Sequence, residues 1–393
     1  MTYYRRVGQV PAKRHSQLRD ESGRLMTEEL FGEEGFFNAS SLLYHRHSPS
    51  ALVASEPVSP SPFDVDWCPN LPLRPRLLQT ADLGATADAV TGRRVLVGNH
   101  EVRISHAAPT AASPLFRNAT GDELVFLEAG SAVLESVFGR LTARAGDYVR
   151  VPMGCVHRWL PDGADPPRML IIEATGHIKT PARYLSPRGQ FLEHAPYSER
   201  DLRGPDRLVE VDDGEAEVLV RHRDGLTRHV HAHHPFDVVG WDGYVYPYAF
   251  SIHDFEPIVK RFHAPPPVHE TFTGTGFVVC SFCPRPADFD PSAVPVPYAH
   301  MAVDCDEVMF FTGGEYRARA GAGIRRGSVT FHPAGFVHGP HPGAAEGSLG
   351  RTWNDEYAVM VDTFQPLSLG PGGARCEDPE YHTSWTQGGG AAG

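Results

Sequence analysis

The apolar residues of this chain are grouped in short β-rich runs that lie between turn signals, and long stretches with helical periodicity are scarce. The chain contains 39 glycines and 35 prolines, which punctuate these runs. Short runs at this spacing are typical of an all-β sandwich or barrel. The predicted strands cover residues 123–128, 147–151, 168–174, 216–222, 276–282, 307–311 and 357–364.

Composition changes along the chain and predicts how it is divided. The first 65 residues are less regular and include a Pro/Ser segment at residues 57–62, so we expect an arm of short elements that packs on the body or on a neighbouring subunit. Residues 180–205 are rich in Pro, Arg and Gly and predict a connection. A second sandwich is predicted to begin near Trp241. The predicted units are therefore residues 1–240, with the arm and the connection, and residues 241–393.

One pattern occurs twice, which indicates a duplicated all-β unit. The first copy runs from Asp122-Glu123 to His157, and the second runs from Asp306-Glu307 to His338. In both copies six residues separate the Glu from a Gly, and a Pro-x-Gly-x-x-His box ends eleven residues after a second Gly. The repeated spacing predicts that the two copies share one backbone structure.

Only the second copy has a histidine just upstream of its Glu, His300. Asn118 and Thr120 lie in the corresponding region of the first copy. Glu123 and His157 alone would make a poor metal site, so the first copy is predicted to be structural.

The second copy has a full set of candidate metal ligands in His300, Glu307 and His338. In a β-barrel such positions can point to a common centre. Two imidazoles and one carboxylate on one face of a metal leave coordination positions open, as in non-heme Fe(II) oxygenases. A single His among 21 is more often a surface or hydrogen-bonded residue, but the repeat favours these two as ligands. Manganese suits the same ligand set.

The bulk properties exclude several classes of partner. A net charge of −12 argues against nucleic acid or an anionic membrane as a partner. No run approaches the roughly 20 apolar residues of a spanning helix, and the N-terminus has no apolar core like that of a signal peptide.

Six scattered cysteines suit a reducing cytosol, so a cytoplasmic protein is predicted. The Cys280-x-x-Cys283 pair is interpreted as buried or idle thiols rather than a zinc site.

Four of the six residues at 229–234 are histidines. As a strand, this segment would place His229, His231 and His233 on one face, which is a plausible metal-binding comb. No carboxylate is forced nearby by the local sequence. We therefore favour a solvent-exposed or pocket-rim segment over a dedicated metal site.

Several longer motifs are specific enough to indicate a family. They are Asp306-Glu307-Val-Met-Phe-Phe after His300, residues 327–343, residues 234–243, and the N-terminal segments 3–8 and 41–47. Together they resemble homogentisate 1,2-dioxygenase, in its shorter bacterial form, over nearly the whole chain. The resemblance implies a bicupin fold of two β-sandwich or jelly-roll barrels, Fe(II), and assembly into trimers or hexamers. It also implies that homogentisate, a small aromatic substrate, reacts with O2 to give maleylacetoacetate in tyrosine and phenylalanine catabolism.

The resemblance also implies roles for individual residues. His300, Glu307 and His338 correspond to the iron ligands, and His263 corresponds to an acid–base histidine that takes the phenol proton. The remaining site residues are His332, which resembles a histidine near the substrate, Tyr316, which resembles the tyrosine that binds the substrate carboxylate, and Tyr298, which would line the pocket. Simple packing for His263, and a satisfied hydrogen-bonded histidine without a proton role for His332, remain alternatives.

Two features leave the function open. Met301 and Ala302 follow His300, where the resemblance predicts a small or basic residue and then Asn, so a related enzyme that opens a different hydroquinone is an alternative. Another metal-dependent cupin enzyme, such as a gentisate-type dioxygenase or an isomerase, and a non-catalytic ligand-binding bicupin are the others. Four arginines lie between Glu307 and His338, and most of them are predicted to be exterior: Arg317, Arg319, Arg325 and Arg326.

Overall fold

The regular secondary structure of the described residues is almost entirely β-strand, as the pattern of apolar runs predicts. A computed structural model describes residues 3–211, 214–223, 225–257, 266–288, 290–319 and 322–386. Within these residues the α-helices are five residues long, Ala344–Ser348 and Pro371–Arg375. The 3-10 helices are Glu34–Phe36, Thr80–Leu83, Ala182–Tyr184, Glu199–Asp201, Ile252–Asp254, Pro266–His269, Arg317–Arg319 and Tyr381–Thr383. None of these described helices has the length and apolar character that a membrane crossing requires.

The seven predicted strands are all present, so this part of the prediction is confirmed. The largest difference is at Gly313 and Gly314, which prolong their strand because they pair with Tyr357 and Glu356. The observed bounds are Glu123–Ala129, Asp147–Val151, Arg168–Ala174, Ala216–His222, Phe277–Phe282, Asp306–Gly314 and Glu356–Thr363.

Two large sheets enclose the first copy of the repeat. Their apolar side chains contribute to one continuous core. The nine-stranded sheet has the order Leu202–Arg203, Tyr248–Ser251, Asp147–Val151, Glu123–Ala129, Arg168–Ala174, Val102–Ala107, Arg94–Gly98, Ser368–Leu369 and Cys68–Pro69. The seven-stranded sheet has the order Gly139–Arg144, Ser131–Ser136, His157–Pro161, Leu115–Asn118, Ala216–His222, Gly225–His231 and Leu52–Val58.

Another seven-stranded sheet carries the second copy of the repeat. Its order is Glu270–Gly274, Phe277–Phe282, Glu356–Thr363, Asp306–Gly314, Ser328–His332, Arg76–Gln79 and Glu377–Asp378. A two-stranded ribbon, Arg285–Pro286 with Trp353–Asn354, lies apart from it.

The sheets of the two copies pack against each other through apolar side chains. The rings of Phe126 and Phe310, one from each copy, meet edge to face at 6.4 Å, and Tyr148 contacts Phe272 at 5.4 Å. Because side chains alternate along a strand, the same strands turn Glu123 and Glu307 to their opposite faces. This arrangement of two β-sandwich halves confirms the all-β bicupin fold that the resemblance implies.

The N-terminal arm consists of strands that pair with the body of the molecule. Arg5–Gly8, Thr27–Gly32 and Ser40–His45 form a four-stranded sheet with Val238–Gly243. Leu52–Val58 pairs with the histidine-containing strand Gly225–His231. The arm is therefore joined to the first half by backbone hydrogen bonds.

Strand pairing also crosses between the two predicted units. Arg76–Gln79 pairs with Ser328–His332 of the second copy, and Ser368–Leu369 pairs with Arg94–Gly98 in the nine-stranded sheet. Each half thus supplies a strand to a sheet of the other. The division of the chain at residue 240 stays a prediction.

The Asp that precedes the Glu performs the same task in both copies. One of its carboxylate oxygens accepts a hydrogen bond from the amide that follows the Pro of the Pro-x-Gly-x-x-His box. The other accepts one from an amide just after the strand that pairs with the Asp-Glu strand, Arg168–Ala174 in the first copy and Glu356–Thr363 in the second. The donors are Met153 and Ile178 for Asp122, both at 2.7 Å, and Ala334 and Leu367 for Asp306, at 2.7 and 2.8 Å. These bonds tie the Asp-Glu pair to the Pro-x-Gly-x-x-His box in both copies, although the box begins three residues nearer to the pair in the second copy than in the first.

An arginine neutralises the buried carboxylates of the first copy. Both guanidinium nitrogens of Arg93 lie 2.9 Å from the two oxygens of Glu123, and one of them lies 2.9 Å from Glu173. Asn118 donates a further hydrogen bond to Glu123 at 3.0 Å. Burial alone would raise the pKa of Glu123, but the attraction of Arg93 lowers it to about 2. The positive charge beside Glu123 is the guanidinium of Arg93, which fits the prediction that the first copy is structural.

Replacing Arg93 with Met should destabilise the protein strongly, because it leaves Glu123 buried without its counter-charge, whereas Glu173 still pairs with Arg221. We expect the free energy of unfolding, measured by urea denaturation, to fall by about 3–5 kcal/mol. The neighbouring Arg94→Met variant is the matched control, since Arg94 is exposed. Equal stability of the two variants would contradict this role for Arg93.

Candidate metal centre

Side chains alternate between the two faces of the strand Asp306–Gly314, and this alternation places Glu307 in the site. Val308 and Phe310 face the core shared with the first half, so Glu307, Met309 and Phe311 face the other side of the sheet. Met309 and Phe311 belong to a separate apolar cluster there. Glu307 is therefore a buried charge at the edge of an apolar surface.

Two histidines reach Glu307 from neighbouring loop segments. His300 and His338 pair as an isolated antiparallel bridge, with N–O distances of 2.7 and 2.9 Å between their backbones. Nε2 of His300 lies 3.9 Å from Glu307 Oε2, and Nε2 of His338 lies 3.5 Å from Glu307 Oε1. One ligand atom from each of the three residues lies within 4.8 Å of the others. The structure thus brings the three sequence-predicted residues together.

The hydrogen bonds of these histidines suit a metal ion. Nδ1 of His300 lies 3.0 Å from the carbonyl oxygen of Tyr298, and Nδ1 of His338 lies 3.0 Å from that of Phe336. A carbonyl only accepts, so each Nδ1 carries the proton and each neutral ring presents the lone pair of Nε2. Nε2 of His338 is buried and makes no hydrogen bond. A buried lone pair without a partner is what a metal ion would satisfy.

The electrostatics of the centre favour an ionised carboxylate. Burial raises the pKa of Glu307, but the neighbouring imidazoles of His300, His332 and His338 outweigh it and hold the pKa well below its usual value. The same contact with Glu307 raises the pKa of His300. Glu307 therefore offers an ionised carboxylate to a cation.

His332 lies beneath this centre and is completely buried. Its Nδ1 lies 2.8 Å from Glu307 Oε1, and its Nε2 lies 2.9 Å from Arg319 and 3.2 Å from the hydroxyl of Tyr381. Burial, with a contribution from the charge of Arg319, lowers the pKa of His332 to about 3, so the ring is neutral at physiological pH. Its ring also stacks on His338 at 4.1 Å.

The other predicted site residues lie in different surroundings. The ring of Tyr316 packs on Phe311 at 4.8 Å, its buried hydroxyl makes no hydrogen bond, and burial raises its pKa to about 12. Tyr298 is 65% exposed and contributes its carbonyl to His300. His263 lies outside the described residues.

Sequence reasoning missed two buried residues that contact His332. Arg319 was among four arginines expected to be mostly exterior; the side chains of Arg325 and Arg326 are half-exposed, but Arg319 is 7% exposed. Tyr381 gives no local signal, because it belongs to a C-terminal turn far from the repeat.

Asp362 was also missed, although the repeat carries a signal for it. It lies directly opposite Glu307 in the neighbouring strand, as Glu173 lies opposite Glu123 in the first copy. Each is an acidic residue in an otherwise apolar run. Comparison of these runs would have identified both.

The histidine-rich segment 229–234 lines a cleft of about 450 Å³ between the N-terminal sheet and the first half. His45 lies in this cleft between Asp237 and Glu29, with ring-to-carboxylate distances of 2.7 and 2.9 Å. Burial lowers the pKa of His45, but the two carboxylates outweigh burial and raise it to about 9. Among the described residues only His300, Glu307 and His338 form a group of three candidate ligands. A metal-binding comb at 229–234 is therefore not formed.

The pH dependence of the metal-free protein should report on Asp362. Burial, with a contribution from Glu307, raises its pKa to about 7. The folded protein then holds a proton that the unfolded chain releases near pH 4, so stability is lost as the pH rises from about 4 through 7. We expect Asp362→Asn to remove this loss. Its free energy of unfolding, measured by denaturation of the metal-free protein, should exceed that of the wild type by on the order of 3 kcal/mol at pH 8, but by little at pH 4. A pH profile parallel to that of the exposed control Asp355→Asn would contradict the expectation.

Comparisons with known proteins indicate the family of the chain. Residues 84–252 match a family model described as the N-terminal part of homogentisate 1,2-dioxygenase. A protein of Saccharolobus solfataricus with the provisional name dioxygenase is 35% identical over 390 residues, which cover 98% of this chain and 99% of that protein.

Named homogentisate 1,2-dioxygenases are more distant. That of Emericella nidulans is 28% identical, with 68% of this chain and 62% of that protein aligned, and that of Bradyrhizobium diazoefficiens is 28% identical, with 59% and 52% aligned. The alignments thus span less than two thirds of both enzymes. A cupin 2 conserved barrel domain protein from Leptotrichia buccalis aligns with 74% of this chain and 96% of its own, at 9% identity and a TM-score of 0.31. By its full-length match and the family-model match, the chain belongs to the homogentisate 1,2-dioxygenase family.

Proposed function

We propose that this protein is an Fe(II)-dependent ring-cleaving dioxygenase that converts homogentisate and O2 to maleylacetoacetate. The observation that carries the proposal is the cluster of His300, Glu307 and His338 in a member of this family. Two imidazoles and one carboxylate suit Fe(II) and leave coordination positions open. A bound Fe(II) would supply a point at which the phenol and O2 meet and through which electron density passes between them.

The residues of the chain would hold and prepare this centre. His300 and His338 offer the lone pairs of Nε2, and Glu307 offers a charged oxygen. His263, on the resemblance, would take the proton of the phenol as it binds. His332 has both ring nitrogens occupied, so its part is to orient Glu307 rather than to exchange protons with a substrate.

The surroundings of the two histidines suit an aromatic substrate. Exposed apolar side chains stand next to them in the chain: Tyr298 and Met301 beside His300, and Val337 beside His338. These groups can cover the faces of a bound ring. Tyr316, with a buried hydroxyl that has no partner, is proposed to receive the carboxylate of the substrate, as the resemblance implies.

A second candidate is a dioxygenase that opens a different hydroquinone. The observation that favours it is Met301, which is 43% exposed beside His300 where the resemblance predicts a small or basic residue. An apolar thioether at this point would favour a substituent less polar than the acetate of homogentisate. A cytoplasmic location and assembly into trimers or hexamers stay predictions.

The proposal is tested by anaerobic reconstitution with Fe(II) followed by measurement of O2 uptake with homogentisate. We expect uptake with formation of a ring-opened product, and a loss of at least about 100-fold in His338→Ala, because even residues behind the ligands typically contribute 10–100-fold. His100→Ala is the matched control, since His100 is exposed.

Other outcomes of this experiment are equally informative. No uptake with homogentisate, but turnover of another hydroquinone or of gentisate, would support a related dioxygenase. Protein that retains no metal and gains no activity with Fe(II) or Mn(II) would reject the enzyme altogether. The His338→Ala variant turning over at the wild-type rate would exclude this centre as the active site.

A further inference from the structure

Behind Glu307 lies a buried chain of hydrogen bonds that ends in the C-terminal segment. Glu307 Oε1 lies 2.8 Å from His332 Nδ1, and His332 Nε2 lies 2.9 Å from a guanidinium nitrogen of Arg319. The same nitrogen of Arg319 donates to the hydroxyl of Tyr381 at 3.2 Å, and that hydroxyl is 3.2 Å from His332 Nε2. All four side chains are buried, so water does not replace these contacts.

The chemistry of arginine fixes the proton on His332. A guanidinium only donates, so Nε2 of His332 must present its lone pair to Arg319. The proton of the neutral ring is then on Nδ1, which donates to Glu307 Oε1. Without Arg319 the ring could carry its proton on Nε2, and two lone pairs, from Nδ1 and Oε1, would face each other at 2.8 Å.

This arrangement makes the two oxygens of Glu307 unequal. Oε1 accepts from His332 and also has the second terminal nitrogen of Arg319 at 3.6 Å. Oε2 is the oxygen nearest to His300, at 3.9 Å from Nε2. Oε1 also lies 3.5 Å from Nε2 of His338. It already accepts a hydrogen bond from His332, so Oε2 is the oxygen that remains available, on the side of His300.

The C-terminal segment that carries Tyr381 is anchored on both sides. Glu377–Asp378 pairs with Arg76–Gln79 at the edge of the sheet that contains His332. Beyond Tyr381, the ring of Trp385 stacks on His341 at 4.4 Å, and its Nε1 donates to the carbonyl of Gly339 at 3.3 Å. The Tyr381 hydroxyl is thus held beside Arg319 by the fold.

We propose that Arg319, held by Tyr381, is a positioning residue that fixes the hydrogen bond from His332 and so makes Glu307 a metal ligand through the single oxygen Oε2. The inference rests on the proposed function only in that a divalent metal binds at this centre. A carboxylate that binds through one oxygen leaves one more coordination position for reactants than a carboxylate that binds through two. The C-terminal segment is in this way part of the metal centre.

Cobalt(II) binding tests the proposal without relying on turnover. The full-length apoprotein is titrated with Co(II), and both the dissociation constant and the visible absorption of the bound ion are recorded. We expect Arg319→Met to weaken Co(II) binding by about 10–100-fold and to change the absorption bands, because the carboxylate is free to reorient. Arg319→Lys keeps the charge but loses the planar guanidinium and its several N–H donors. Its affinity for Co(II) should therefore lie between those of the wild type and Arg319→Met.

The matched control is Arg325→Met, which removes an arginine paired with Asp82 at the surface and should leave both readouts at wild-type values. Tyr381→Phe keeps the ring and removes only the hydroxyl, so it tests the proposal even if Arg319→Met does not fold. It should shift the absorption bands in the same direction by a smaller amount.

If Arg319 and Tyr381 only stabilised the fold, their variants would melt at a lower temperature but would keep the wild-type Co(II) affinity and absorption spectrum. Folded Arg319→Met or Tyr381→Phe protein with the wild-type Co(II) spectrum would overturn the proposal, as would wild-type protein that binds no Co(II). Wild-type protein that binds Co(II), shows these shifts in the variants, but does not consume O2 with any hydroquinone would reject the proposed function alone.

Discussion

A carboxylate buried inside a β-barrel requires a positive partner, and this requirement governs both halves of the molecule. Glu123 and Glu307 occupy the same register in their strands, each opposite a further acidic residue, Glu173 or Asp362. An unpaired buried charge is too costly for a folded protein to tolerate. The identity of the positive partner therefore decides what each half does.

The first half meets the requirement from within its own chain. Arg93 binds both carboxylates, and Asn118 donates to Glu123 from the region where the second half carries His300. Both oxygens of Glu123 are thus engaged by side chains of the same half. This arrangement fits the prediction that the first copy is structural.

The second half meets the requirement only in part. His332 and Arg319 neutralise one side of Glu307, while His300 and His338 present their Nε2 atoms on the other. The backbone carbonyls that accept from their Nδ1 atoms keep these lone pairs in place without a metal. These lone pairs and the second oxygen of Glu307 are the donors that the proposed metal ion would use.

The sequence by itself determined the strands, the repeat and the grouping of His300, Glu307 and His338, because each depends on local pattern and on spacing within one repeat. It did not reveal Arg93, Arg319 or Tyr381 as partners of the buried carboxylates. A local pattern records that a position is buried, but it does not record which distant side chain fills the space beside it. Arg319 looked like its exposed neighbours, and Tyr381 reaches His332 across 49 residues of sequence. Only the tertiary structure decides such contacts, because it is the packing of the C-terminal turn against the sheet that excludes water and selects the partner.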